Sequence, residues 1–242
     1  MRAFRAHPGT VTLAALLLFA PGGARPVELP PPPPSYMGRE MPGPIAPSGG
    51  AWLLRESRER EERPDLLIAH LRSSGNLAPG LVVCDLGAGN GFYTLRLATE
   101  VGERGHVLAE DIQPELLATL KKRAAAVHVR NVETIRGTKS DPRLPAGGVD
   151  LILLVDVYHE FTQPTEMLAA IRSALRTGIR PGRVALVEFR GEDPDLPISP
   201  LHKMTRAQIE KEWTANGFRV VAEFEGLPRQ HLLLLEAAPP HE

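Results

Sequence analysis

Glycine recurs at every second position in a short stretch that follows a run of apolar residues. Gly87, Gly89 and Gly91 come directly after residues 81–86, and Asp85 lies two residues before the first of these glycines. Glycine lets the backbone turn sharply and lets a ligand approach without an intervening Cβ. The apolar stripe that follows indicates a helix, whose first N–H groups are free to bind a ligand in the same crevice. The stretch therefore predicts a strand, a ligand-binding turn and a helix.

Two acidic residues end the next predicted strand. Glu110 and Asp111 close residues 106–111. They lie roughly 20 residues beyond the glycine turn, a separation at which a carboxylate can reach the hydroxyls of a bound ribose. Neighbouring residues of a strand point to opposite faces, so we expect Asp111 to take this role, with Glu110 as its competitor. No basic residue adjoins them, which disfavours a phosphorylated ribose.

The spacing G-x-G-x-G with a preceding acid resembles motif I of the class I S-adenosylmethionine-dependent methyltransferases, whereas dinucleotide enzymes typically show G-x-G-x-x-G. The resemblance implies that S-adenosylmethionine is the cofactor, that Asp85 positions its methionine amino group and that Asp111 binds its ribose. It also implies that Ile112 packs on the adenine ring and that Asp141 binds the adenine amino group. The family's usual Gly-Asp pair is Gly137-Thr138 here, so Asp141 has an alternative role as a turn residue before proline. The predicted cofactor-binding residues are Asp85, Gly87, Ala88, Gly89, Gly91, Glu110, Asp111, Ile112, Asp141 and Asp156.

Residues with chemical potential cluster after the fourth predicted strand, within 155–161. Ligands of open α/β sheets bind outside the carboxyl ends of the strands, so we expect this loop to belong to the active site. Asp156, Tyr158 and His159 are the predicted catalytic residues. His159 can remove a proton from an acceptor because the reference pKa of imidazole is near neutrality. The alternative is structural: Tyr158 packs in the core and His159 caps the next helix.

Two further residues are predicted to contact the substrate. Arg190 follows the fifth strand and His202 precedes the last helix. Arg190 can bind an acidic or polar acceptor, or it can instead pair with a nearby acid. The histidines lack an H-x-x-x-H or carboxylate-triad spacing, so we predict no metal site.

From residue 81 onward, apolar strand patterns alternate with helical ones. Five strands are predicted at 81–86, 106–111, 132–136, 149–155 and 183–189, with helices between them, and two more strands follow a last helix at 206–216. We therefore predict an α/β fold: a Rossmann-like, seven-stranded, mostly parallel sheet with helices on both faces. The family resemblance implies that the last strand is antiparallel. The predicted methyltransferase domain spans 78–238.

The first 77 residues differ in character from the rest. Residues 1–24 predict an export signal, with a basic start and an apolar run too short to span a bilayer comfortably; an uncleaved anchor, a disordered tail or a mis-called start are the alternatives. Residues 25–50 are a proline- and glycine-rich spacer, and 51–77 are a helical segment and candidate lid, with the charges of 55–63 on a solvated face. We expect a periplasmic or secreted protein, anchored if the signal stays uncleaved and otherwise not stably inserted in a membrane. The sequence gives no sign of the oligomeric state.

Composition narrows the function. The chain has 242 residues, 43% hydrophobic, and a net charge of −1, which suits one globular domain with extensions and argues against general nucleic-acid binding. A single cysteine, Cys84, allows neither an intrachain disulfide nor a cysteine metal cluster.

The sequence thus favours in-line methyl transfer to a small molecule. The overall pattern looks most like the small-molecule branch of the family (type 11/25 domains), such as the quinone-biosynthesis C-methyltransferases, with the acceptor atom left open. One alternative is a protein methyltransferase of the isoaspartyl type, to which residues 101–107 are similar. A second is an NAD-dependent oxidoreductase, which the glycine spacing disfavours. A third is an exported, non-catalytic binding protein, because the cofactor is made in the cytoplasm.

Overall fold

The computed structural model describes residues 34–44 and 47–239. The predicted export signal and the first part of the predicted spacer lie outside the described residues. The described residues belong to one compact unit that begins at Pro33, within the predicted spacer. None of the helices described is long and apolar enough to cross a membrane.

The N-terminal part of the unit consists of short elements. Strands β1 (Ser35–Tyr36) and β2 (Arg39–Glu40) form an antiparallel hairpin. A 3-10 helix (Pro47–Leu54) and two helices follow: α1 (Arg58–Glu62) and α2 (Pro64–Ser73). Proline opens α2, where its missing N–H and fixed φ suit the first turn.

Seven strands form the central sheet: β3 (Val82–Leu86), β4 (His106–Asp111), β5 (Val132–Arg136), β6 (Leu151–Val155), β7 (Arg183–Phe189), β8 (Phe218–Phe224) and β9 (Gln230–Ala237). Their order is β5-β4-β3-β6-β7-β9-β8, and β9 is antiparallel to both of its neighbours. The predicted fold class, including the antiparallel last strand, is confirmed. The predicted strands match these bounds within two residues at either end.

Helices cover both faces of the sheet, which explains why the central strand β6 is apolar throughout. Four more helices complete the fold: α3 (Thr94–Val101), α4 (Pro114–Ala126), α5 (Pro164–Ala174) and α6 (Arg206–Ala215). Val83 packs with α2 and α3 on one face, while its neighbour Cys84 packs with α5 and α6 on the other. Leu151 to Leu154 are completely buried, as a strand with both faces covered requires. The carboxyl ends of β3, β4, β6 and β7 meet along one edge, where the site lies.

The N-terminal hairpin packs on α6. Arg39 forms an ion pair with Glu212 at 2.9 Å and donates a hydrogen bond to the carbonyl of His159 at 2.9 Å. Tyr36 accepts a hydrogen bond from Asn216 at 2.7 Å. Tyr36 and Arg39 lie within the predicted spacer, and the contacts show how the hairpin supports the loop after β6.

Candidate active site

The chain turns sharply where β3 ends. Gly87 has φ of +75°, and a Cβ built on it would lie 2.4 Å from Cγ2 of Val157, so this position requires glycine on both conformational and steric grounds. Gly87, Ala88 and Gly89 line a cavity, which we call the first cavity. Gly91 does not line it, because its α-carbon faces the side chain of Leu120 in α4.

Both acids at the end of β4 line the first cavity, together with Ile112. Asp111 accepts hydrogen bonds from the backbone N–H groups of Gly89 and Gln113, each at 2.8 Å. Burial raises the pKa of Glu110 to about 8, and the neighbouring Asp111 adds to the effect. Because Glu110 lines the first cavity, its side chain faces the ligand side of the sheet and is not turned away from it.

Asp85 forms the base of the first cavity and is buried. The hydroxyl of Thr94 donates a hydrogen bond to its Oδ2 at 2.5 Å. Burial raises the pKa of Asp85 to about 6, although the Thr94 hydrogen bond opposes the shift. A cationic group in the cavity would be attracted to this carboxylate, which has few other ways to offset its buried charge.

Asp156 follows β6 in a strained conformation. Its φ is +52°, in the left-handed region that L-residues other than glycine, Asn and Asp seldom adopt. Gln230 donates a hydrogen bond to Oδ2 at 2.8 Å. Burial raises the pKa of Asp156 well above its usual range. The residue lines the first cavity and also a second one.

The second cavity has a volume of about 300 Å³ and lies beside the loop that carries His159. His159 is 1% exposed, and its Nδ1 lies 2.6 Å from Oε2 of Glu188, a completely buried carboxylate on β7. Burial alone would lower the pKa of His159, but the attraction of Glu188 outweighs it, so the pKa is raised. Glu188 therefore fixes the ring so that Nε2 faces away from it.

His202 ends a short 3-10 helix, Pro200–His202, and lines the second cavity as well. Its Nδ1 lies 3.0 Å from Nε2 of His159. Burial, reinforced by His159, lowers the pKa of His202. The two histidines are 43 positions apart in the chain, and the fold also brings Glu160 close: ligand atoms of the three side chains lie within 4.8 Å of one another. The prediction of no metal site relied on the spacing of the histidines along the chain. That spacing does not decide the matter, because the fold brings His159 and His202 together.

Tyr158 is a core residue, contrary to its predicted catalytic role. It is completely buried and packs against Phe161 and Trp213, with ring centroids 5.3 and 5.1 Å apart. Its hydroxyl donates a hydrogen bond to Glu212 at 2.7 Å. It lines neither cavity, because the turn after β6 directs it to the opposite side from Asp156.

Two other predicted residues also lie outside the cavities. Arg190 donates hydrogen bonds to the carbonyls of Leu227 (2.7 Å) and Pro228 (3.0 Å), so it holds the loop before β9 instead of a substrate. Asp141 is exposed and its Oδ1 accepts the Arg143 N–H at 2.7 Å, which is the turn role left open as the alternative. Thr138 and Lys139 line the first cavity at this point in the loop.

The sequence analysis missed a buried ion pair in α1. Arg58 and Glu62 are 5% and 1% exposed and lie 2.7 Å apart, so these two charges do not belong to a solvated helix face. The Arg58 guanidinium stacks over Phe92 at 4.2 Å and lines both cavities. Leu53 also lines both, and Gly50 accepts a hydrogen bond from Asn90 at 2.7 Å. The predicted lid segment therefore covers the glycine turn.

Comparison with known proteins places this arrangement in context. A family model described as "Methyltransferase domain" matches residues 83–178. The chain is 32% identical to Methyltransferase HEMK2 of Mus musculus over 66% of this chain and 75% of that protein. It is 30% identical to the ubiquinone/menaquinone biosynthesis C-methyltransferase UbiE of Vibrio vulnificus over 46% of this chain and 42% of that protein. The structure of a SAM-dependent methyltransferase from Aquifex aeolicus superposes with a TM-score of 0.73 and 23% identity, covering 81% of this chain and all of that one.

The matches cover different shares of the related proteins. The chain spans three quarters of HEMK2 but less than half of UbiE. The similarity to the Aquifex aeolicus structure shows the fold alone. Curated relatives also include tRNA and protein methyltransferases, so similarity by itself leaves the acceptor class open.

Proposed function

The chain belongs to the class I S-adenosylmethionine-dependent methyltransferases, and from that premise we propose that it methylates a small molecule bound in the second cavity. The observation that carries this proposal is that the two cavities share a wall. Leu53, Arg58, Val155 and Asp156 line both of them. A donor beside the glycine turn and an acceptor beside His159 would therefore meet across this wall, where alignment can accelerate the transfer.

The first cavity fits the cofactor. Three buried oxygen atoms in its wall, on Asn90, Glu110 and Asp156, have no hydrogen-bond partner among the described residues. Buried acceptors of this kind need donors, and the hydroxyl and amino groups of S-adenosylmethionine supply them. Glu110 and Asp111 would hold the ribose hydroxyls and Asp85 the methionine amino group. When bound, the cofactor supplies a methyl group already activated by a sulfonium, so the protein needs only to align the reactants and exclude water.

The lining of the second cavity supports a small, largely apolar acceptor. Trp52, Phe189, Pro197 and Ile198 contribute apolar surface, and the polar groups are few. A volume of about 300 Å³ is at the lower end of the usual range for small-molecule sites. Phenols and quinols, which carry one or two ionisable hydroxyls on an aromatic body, match this lining.

The histidine pair supports an acceptor that loses a proton. When a methyl group arrives on an oxygen, nitrogen or sulfur atom, the proton of that atom has to leave. His202 lines the cavity and contacts His159, which Glu188 holds from behind. The pair can take up the acceptor proton at His202 and share it with His159. Asp156, at the shared wall, can orient the acceptor hydroxyl.

The test is product formation with alternative acceptors. The full chain is incubated with S-adenosylmethionine and either a set of small phenols and quinols or isoaspartyl peptides, and S-adenosylhomocysteine is measured. We expect turnover with members of the first set. The variant Ile198→Trp, which fills the second cavity, should lose this turnover while cofactor affinity stays unchanged. Ile179→Trp is the matched control, because Ile179 is fully exposed and away from both cavities.

Three results would contradict the proposal. Turnover of isoaspartyl peptides alone would identify a protein methyltransferase. Cofactor binding without turnover of any acceptor would favour a binding protein that kept the pocket, an outcome that would give weight to the predicted export. Full turnover in Ile198→Trp would place the acceptor elsewhere.

A further inference from the structure

Two imidazole nitrogens contact each other in the wall of the second cavity. Nε2 of His159 and Nδ1 of His202 are 3.0 Å apart. Nδ1–H of His159 donates a hydrogen bond to the carboxylate of Glu188, so Nε2 presents a lone pair toward His202. Two imidazole lone pairs at this distance would repel each other. A proton or a metal cation must therefore lie between them.

Two carboxylates lie next to the histidine pair. Glu188 is completely buried behind His159, and Oε1 of Glu160 lies 4.0 Å from Nε2 of His159 with its side chain 11% exposed. The two carboxylates therefore place negative charge beside the Nε2–Nδ1 contact, and a metal cation bound there would be attracted to both.

We propose that His159, His202 and Glu160 bind a divalent transition-metal cation of the zinc class. Two imidazole nitrogens and one carboxylate oxygen are a ligand set that Zn²⁺ and Co²⁺ accept. Ligands about 2.0–2.1 Å from a tetrahedral ion lie roughly 3.4 Å apart, so the two nitrogens have to separate by only a few tenths of an ångström. The carboxylate of Glu160 has to approach by roughly 0.6 Å to match the same geometry.

Glu188 contacts the ring nitrogen of His159 that would not bind the ion. A histidine that ligates a metal usually donates its other N–H to a carboxylate or carbonyl, which fixes the tautomer and strengthens the metal bond. His159 has this arrangement, with 2.6 Å between Nδ1 and the buried Oε2 of Glu188. Because the Glu188 carboxylate is completely buried, it keeps the His159 ring oriented with Nε2 toward the proposed ion.

Three protein ligands leave one position of a tetrahedral ion open. His159 and His202 line the second cavity, while Glu160 lines the first, so the ion would lie where the two cavities meet. With the ion bound, the two histidine nitrogens ligate it and no longer share the acceptor proton. A hydroxyl oxygen at the open position would instead lose its proton more readily, because a metal ion lowers the pKa of a coordinated hydroxyl. This use of the open position rests on the proposed function, but the existence of the site does not.

The test is metal binding by the full chain after removal of metal with a chelator. Co²⁺ is added, and the visible absorption of the bound ion is recorded; Zn²⁺ is then measured in competition with a chromophoric chelator. We expect one site that gives a Co²⁺ band of four- or five-coordinate geometry. His202→Ala and Glu160→Gln should weaken binding at least tenfold, and Glu188→Gln by about 10- to 100-fold, as other changes behind a metal ligand do.

His106→Ala is the matched control, because His106 also pairs with a glutamate, Glu133 at 3.3 Å, but on the surface. Its Co²⁺ affinity should stay unchanged. S-adenosylmethionine binding by His202→Ala and Glu188→Gln reports that the fold is intact. Glu160 lines the first cavity, so the fold of Glu160→Gln is checked by circular dichroism instead. Absence of stoichiometric Co²⁺ binding by chain that still binds the cofactor would overturn the site. Unchanged affinity in His202→Ala would overturn it as well, while loss of cofactor binding with Co²⁺ binding retained would count against the proposed function only.

Discussion

Glu110 should make the stability of the ligand-free protein fall as pH rises through neutrality. Burial is the main cause of its raised pKa, about 8 against an ordinary value of 4.5. The unfolded chain therefore releases this proton near pH 4.5, while the folded protein keeps it up to about pH 8. A carboxyl whose folded pKa is raised contributes stability at low pH, and that contribution is lost as pH rises toward the folded pKa.

The magnitude follows from the width of this window. Each pH unit between the two pKa values changes the free energy of unfolding by about 1.4 kcal/mol. Asp85, with a pKa of about 6, has largely released its proton by pH 6.5, so its contribution is small above that value. From pH 6.5 to 9, Glu110 should therefore lower the free energy of unfolding by about 2 kcal/mol.

Urea unfolding at pH 6.5 and pH 9 measures this loss directly. Glu110→Gln keeps the shape of the side chain but cannot ionise, so the variant should lose about 2 kcal/mol less than the unmodified protein over the same range. Glu115→Gln, an exposed position on α4, should behave as the unmodified protein does. Saturating S-adenosylmethionine should shrink the difference, because ribose hydroxyls donate to the ionised carboxylate. Parallel pH profiles for the unmodified protein and Glu110→Gln would refute the reasoning.

Three further substitutions test the placement of residues. Gly87→Ala should lower the free energy of unfolding by about 2 kcal/mol or more in urea, because it combines a positive φ with a steric clash; an unchanged midpoint would contradict the turn geometry. Tyr158→Phe should cost about 1–2 kcal/mol through the lost hydrogen bond to Glu212, with calorimetric cofactor affinity unchanged; lost affinity would restore Tyr158 to the site. Arg190→Ala should lower thermal stability by about 1 kcal/mol through loss of its bonds to residues 225–228, yet leave the KM of the acceptor unchanged; a raised KM would make Arg190 a substrate contact.

The fold and the first cavity could be predicted from the sequence because their signals are local. Continuous apolar runs such as Leu151–Val155 specify strands with both faces covered, and proline at 114 and 164 marks helix starts. The glycine turn and the acids at the end of β4 lie within 30 residues of each other in one βαβ unit. Their meeting follows from the handedness and short connections of that unit.

The second cavity could not be predicted in the same way, because its contacts join distant elements. Glu188 lies 29 positions from His159, and His202 lies 43 positions from it. Tyr158 and His159 are neighbours in sequence, but the turn after β6 sends one into the core and the other toward the cavity. No periodicity applies within such a loop, so their roles were not separable beforehand.

The charges of α1 led to the wrong prediction that Arg58 and Glu62 lie on a solvated face. Arg58 and Glu62 have the i, i+4 spacing of a surface ion pair, and charged residues are seldom buried. Here each neutralises the other, and the Arg58 guanidinium stacks over Phe92. The pair is buried because the segment packs over the glycine turn. The i, i+4 spacing of a helix does not predict such tertiary packing.

Calorimetric titration of the full chain with S-adenosylmethionine tests the central claim most directly. Asp111→Asn keeps the side-chain oxygen that accepts the Gln113 N–H but removes the charge, and Asp141→Asn is its matched control outside the cavity. We predict micromolar binding to the unmodified chain, an affinity about 10- to 100-fold lower in Asp111→Asn, and no change in Asp141→Asn. Absence of binding by the folded chain, or equal affinity in all three proteins, would contradict the account.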